Sequence, residues 1–182
     1  MLFRSGNRYS FIYSGDVNGD GTGGNDLIFI PAEQSDILLD PWVRPGLPTV
    51  SPQEQWTRLN AFIEQDKYLS KHRGQIAERF GELNPWYSNI DLRVLQDFGF
   101  RSGSTQHTFQ LSVDVLNVAN LLNSGWGVRK VANASALSPL SLVRFAGNTP
   151  VFNFTGPDHT FDDSTDPLYR WRLQFGLRYF IQ

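Results

Sequence analysis

The chain has 182 residues, with 16 Lys and Arg against 18 Asp and Glu, for a formal net charge of −2. That balance offers no basic field or basic run to draw nucleic acid, and the absence of cysteine excludes disulfide scaffolds, thiol catalysis and Cys-based zinc sites. No apolar run approaches the roughly 20 residues of a membrane-spanning helix, although aromatic residues reach 14%.

The opening stretch MLFRSGNRYSFIYSGD has no apolar core region and no A-x-A-like site, so it does not read as a signal peptide. Four stretches then alternate with period two, the strand period. Near 7–14, Tyr9, Phe11 and Tyr13 share one face, against Arg8 and Ser10. Near 88–100, Ile90, Leu92, Val94, Phe98 and Phe100 face one way and Asn89, Asp91, Arg93 and Asp97 the other, while Leu95 and Gln96 break the pattern. Near 106–118, Phe109, Leu111, Val113 and Val115 oppose Thr108, Gln110, Ser112 and Asp114. Near 168–181, Tyr169, Trp171, Leu173, Phe175, Leu177, Tyr179 and Ile181 oppose Arg170, Arg172, Gln174, Gly176 and Arg178.

The connections are unequal. RSGSTQ, residues 101–106, is a short turn and predicts a hairpin. Residues 15–86 and 119–167 are long polar loops rich in Gly, Pro and Asn. The first holds a helix signal, with Ser51 and Glu54 as a capping box and Pro52 at the first helical position. The second holds SLVRFA and TPVFNF, two short strands outside the main sheet.

Short turns on one side, long loops on the other and strands of ten or more residues match the asymmetry of outer-membrane barrels. Tyr169 to Tyr179 covers roughly 33 Å of strand, or about 25 Å at a tilt of ~40°, the height of a lipid-facing band. The expected fold is all-β: an antiparallel transmembrane β-barrel fragment of about four long meander strands, with long extracellular loops, one containing a short helix. Its lipid-facing residues are Tyr169, Trp171, Leu173, Phe175, Leu177, Phe109, Leu111, Val113, Val115, Ile90, Leu92 and Val94. The plainer reading is an ordinary antiparallel sheet with one buried face, whose strands usually run to about 5–6 residues.

One motif has metal-ligand spacing. Asp16, Asn18 and Asp20 alternate before Gly21, and Asn25 and Asp26 follow, as in a shortened calcium loop. The twelfth position is Leu27 rather than Glu, and the alternative is an Asx-rich turn whose side chains bond their own backbone. His72, His107 and His159 stand in no zinc spacing, and no Walker loop or G-x-S-x-G is present. Asp162, Asp163 and Asp166 cluster near His159 in a turn-rich stretch. No catalytic constellation emerges, so the chain does not read as an enzyme. Arg170, Arg172 and Arg178 offer either an anion site or partners for acids such as Asp91 and Asp114.

Taken together, SGDVNGDGTGGNDLIFIP, FIEQDKYLSKHRGQIAERFGELNPW, NIDLRVLQDFGF, HTFQLSVDVLNVANLLNSGWG and the final GLRYF resemble the barrel of TonB-dependent outer-membrane receptors. The subgroup they resemble is the Oar-like (OmpA-related) receptors, near the SusC-like transporters. The resemblance covers most of the chain and is weakest over 128–165. It implies an outer-membrane location and a large nutrient or macromolecular ligand; no cofactor is expected, calcium at the Asp/Asn loop aside. It implies four partners: membrane lipid, the rest of the barrel and its plug, TonB, and the barrel-assembly machinery. Gln174, Gly176, Tyr179 and Ile181 fit the family's barrel-assembly signal, with Gln182 an extra residue after it. No plug domain is present, and the chain reads as the last four strands of a larger receptor, not competent alone. The alternative is a soluble β-sheet carbohydrate-binding or adhesin module with a calcium loop, in which Trp42, Trp56, Trp86 and Trp126 stack on sugars.

Overall fold

A computed structural model describes residues 2–4 and 6–182. Among them, five strands of six or more residues dominate: β1 (Leu92–Ser102), β2 (Thr105–Leu116), β3 (Leu140–Ala146), β4 (Thr149–Phe154) and β5 (Arg172–Ile181). The main helix is α1 (Pro52–Gln65). No helix of the described residues is long and apolar enough to cross a membrane. The fold is strand-rich with few helices, and no sheet closes into a barrel among the described residues.

The chain divides into two compact units. The first comprises Pro85–Lys130 and Asp163–Gln182 with the strand Leu2–Arg4, which pairs with Tyr87–Asn89. Its centre is an antiparallel sheet in the order β5-β2-β1. β1 and β2 form the expected hairpin, with Ser102 opposite Thr105. Gly103 takes the first of the two turn positions at φ +64°, the geometry that suits a right-twisted hairpin. The strands have 11, 12 and 10 residues, about twice the usual length.

The second unit comprises Gly6–Asn84 and Val131–Asp162. β3 and β4 pair antiparallel, and Tyr13–Ser14 and Leu38–Leu39 flank them in parallel, so this sheet is mixed. α1 starts where the sequence signals it: Ser51 Oγ accepts the Glu54 N–H at 3.1 Å and Pro52 takes the first position. Leu59, Phe62 and Ile63 lie on its buried face, with Phe62 packed against Phe154. Each such burial contributes about 1.5–3 kcal/mol. Gln55 is also buried; its amide donates to the Asp40 carbonyl at 2.6 Å and accepts the Phe154 N–H at 3.0 Å, joining three segments.

Two expectations need correction. Residues 7–14 are not a long strand of the main sheet. They form two-residue strands, Arg8–Tyr9 and Tyr13–Ser14, which pair with Glu82–Leu83 and Leu140–Ser141. Their alternation is real, but Tyr9, Phe11 and Tyr13 point into the core of the second unit. Residues 15–86 and 119–167 are correspondingly more than loops. They supply most of that core, including Ile30, Leu69, Leu140 and Phe152.

Candidate functional site

The sheet β5-β2-β1 has two chemically distinct faces, fixed by its register. On one face the rows run Leu173–Val115–Leu92, Phe175–Val113–Val94, Leu177–Leu111–Gln96 and Tyr179–Phe109–Phe98. Ile181, His107 and Phe100 end the series beside the turn. These apolar side chains face outward: Phe175 is 67% exposed and Leu177 70%. Val113 and Val115, on the central strand, are half-buried. Near the hairpin the rings form a band, with Phe109 stacked on Tyr179 at 4.6 Å and Phe100 on His107 at 4.8 Å. His107 Nδ1 hydrogen-bonds the Tyr179 hydroxyl.

The opposite face carries Arg93, Asp114 and Gln174 in one row, Leu95, Ser112 and Gly176 in the next, then Asp97, Gln110 and Arg178. Arg93 binds Asp114 through Nε and Nη2, the bidentate arrangement that suits guanidinium and carboxylate. Asp114 is buried although its face is open. Among the described residues the first unit buries only Val128, Asp114, Asn117 and Asn120. Its buried groups are thus mostly polar and its large apolar side chains mostly outside, the reverse of the second unit.

The four residues of the expected assembly signal all lie on β5. Gln174 and Gly176 stand on the polar face, opposite Asp114 and Ser112; Tyr179 and Ile181 stand on the apolar face, opposite Phe109 and His107. Three of the expected lipid-facing residues fall outside the strands. Tyr169 ends a 3-10 turn, half-buried, with its ring edge-on to Tyr87 and its hydroxyl accepting from Arg129 at 3.0 Å. Trp171 immediately precedes β5, and Ile90 lies between Tyr87–Asn89 and β1. A proline at 167 and the Asp166 side chain, which accepts the Leu168 N–H, start that turn and delay the strand.

Two asparagines missed in the sequence organise this end of the sheet. Asn117, at φ +54°, donates its backbone N–H to the Asp91 carboxylate at 2.8 Å and its side-chain amide to the Gly127 and Tyr169 carbonyls at 3.0 and 3.1 Å. Asn120 donates to the Ser124 and Trp126 carbonyls and accepts the Trp171 N–H at 3.1 Å. The signal available was their spacing, N-V-A-N, directly after an alternating run.

The Asp/Asn loop lies in the second unit. Asp16 accepts the backbone N–H groups of Gly19, Asp20 and Gly21. Asp20 accepts from Thr22 N–H and from the amides of Asn18 and Asn25, which hold its carboxyl below the usual range, the Thr22 bond most of all. Asp26 turns elsewhere, accepting the Val17 and Asn18 N–H groups. The side chains therefore bond their own loop, the Asx-turn arrangement. No group of three or more His, Cys, Asp or Glu side chains suited to a metal converges among the described residues.

The remaining candidates separate. His159 Nε2 meets Asp162 at 2.7 Å, Asp163 meets Lys130 at 3.0 Å, and Asp166 caps its own turn. Trp42 is half-buried under the Arg44 guanidinium, and Trp56 packs against the core. Trp86 and Trp126 are exposed and line one cavity of about 500 Å³ in the first unit. Comparison with family models, curated proteins and solved structures finds no match.

Proposed function

We propose that the chain is part of a TonB-dependent outer-membrane receptor that binds and translocates a large ligand. In this reading β1, β2 and β5 are barrel strands. Leu92, Val94, Phe109, Leu111, Leu173, Phe175 and Leu177 meet lipid, and Arg93, Asp114, Gln174 and Arg178 face the lumen. The second unit is extracellular. Three strands do not close a barrel, since the smallest have about eight. Further strands, a plug and TonB complete the transporter, and the assembly machinery reads Gln174, Gly176, Tyr179 and Ile181.

The observation that carries the proposal is the inverted sheet: strands of 10 to 12 residues with an apolar face left open. Soluble monomers rarely expose such a patch beyond a few hundred Å². The test is to refold the chain with and without detergent and measure its mass by sedimentation. The proposal expects ordered strands only with detergent; an ordered monomer in plain buffer at high concentration contradicts it.

A second reading, a soluble β-sheet carbohydrate-binding or adhesin module, draws on one observation, the shared cavity of Trp86 and Trp126. It expects the opposite outcome in the same experiment.

A further inference from the structure

The second unit holds a groove with unmet bonding needs. Two cavities, of about 420 and 310 Å³, share Asn25, Leu27 and Arg79. Each is of the size of a small-ligand site. The Asn25 amide nitrogen donates to Asp20 at 3.0 Å, which fixes the amide's orientation. Its Oδ1 is left buried with no hydrogen-bond partner among the described residues. A buried carbonyl in that state calls for a donor.

Arg79 supplies the second need. Its guanidinium is exposed and makes no hydrogen bond or ion pair among the described residues. The acid lining the first cavity, Asp26, already accepts two backbone N–H groups through Oδ2. Arg79 is therefore the lining charge left without a hydrogen-bonding partner among the described residues.

The third feature is Phe80, in the second cavity, 56% exposed and at φ +55°. A bulky non-glycine residue rarely adopts that backbone, and such strain gathers at ligand sites. It is held in place from both sides: its N–H donates to Ser10 Oγ at 2.7 Å and its carbonyl accepts from Arg8 at 3.0 Å. Ile76, 64% exposed, adds an apolar wall to the first cavity.

We infer that this groove binds the free C-terminal end of a peptide. The terminal carboxylate pairs with Arg79, a neighbouring amide N–H donates to Asn25 Oδ1, and an apolar side chain lies against Ile76 or Phe80. Adjacent amide and carboxylate are what a peptide terminus carries, and its capture is a recurrent recognition mode. The inference concerns the second unit and does not rest on the membrane reading.

The test is an NMR titration of the full refolded chain in detergent micelles with acetyl-Gly-Gly-Leu, as the free acid and as the amide. The acid shifts the signals of Asn25, Leu27, Arg79 and Phe80, and the amide binds about tenfold more weakly, the worth of one bond to a charged group. Arg79→Ala brings the acid down to the amide's affinity. Phe80→Gly relieves the backbone, folds at least as well, and weakens both peptides. The inference is overturned by equal binding of acid and amide, by an inert Arg79→Ala, by shifts confined to the first unit, or by no shift up to about 10 mM peptide.

Discussion

Gly176 on β5 stands opposite Ser112 on β2, and the Ser112 Oγ fills the space a Cβ at 176 needs. Two effects compete on substitution. Alanine removes the glycine's excess backbone entropy, worth about 0.5–1 kcal/mol. Ser112 can rotate away from one methyl, losing only a long hydrogen bond to the Gly176 carbonyl, 3.4 Å. Gly176→Ala is therefore close to neutral. Gly176→Val overfills the gap and costs about 1–3 kcal/mol, and Ser112→Gly in that background restores most of it. Denaturant midpoints of the refolded chain in detergent measure all three.

The Arg93–Asp114 pair predicts an asymmetry. The Arg93 side chain is 66% exposed and the Asp114 side chain 7%. Asp114→Ala releases an arginine that water can solvate. Arg93→Ala leaves a buried carboxylate without its counter-charge, the costlier of the two losses. The second variant unfolds at clearly lower denaturant than the first; equal midpoints contradict the burial of Asp114.

Asn117 combines a left-handed backbone with two amide donations. Asn117→Gly keeps the backbone and loses the bonds, at about 1–3 kcal/mol. Asn117→Ala adds about 1–2 kcal/mol for the left-handed conformation. The stability order is Asn, then Gly, then Ala, by the same denaturant series.

Acid should weaken the second unit. The Arg144 guanidinium, bonded at 2.7 and 2.9 Å, holds the Asp40 carboxyl below its usual range; Asp20 is lowered by Thr22, and Asp162 by His159 and Asn133. A lowered folded-state value means stability that is present above the ordinary carboxylate value, about 4, and lost as pH falls through the lowered one. Asp40→Asn is less stable at neutral pH but loses less on acidification. A thermal melt series from neutral pH to about pH 3 reads this; parallel wild-type and variant profiles contradict it.

Much of the sheet was legible because period two is a property of a single strand. The stretches at 88–100, 106–118 and 168–181 contain β1, β2 and β5, with ends shifted by a few residues. α1 was legible because Ser51 and Pro52 are local signals. The segment 7–14 misled because alternation names a face and not a partner. Tyr9 and Tyr13 pair with Glu82 and Leu140, distant choices made by tertiary packing. The second unit's core was hidden because its members, such as Phe11, Leu59 and Phe154, belong to segments far apart in sequence, and the period of each names a face without naming what it packs against. Asn117 and Asn120 were missed because their partners are backbone groups, the farthest of them at Tyr169 and Trp171.

In the receptor reading the two faces of β5 meet different solvents, lipid on one side and water on the other. The chain contains no cysteine, so single cysteines report without background. Cysteines placed one at a time along 173–178 are reacted with a water-soluble maleimide after incorporation into lipid vesicles. Period-two labelling is expected: Leu173→Cys, Phe175→Cys and Leu177→Cys are protected, while Gln174→Cys and Arg178→Cys react. Uniform labelling along the strand, or the same alternation in lipid-free buffer, contradicts that reading.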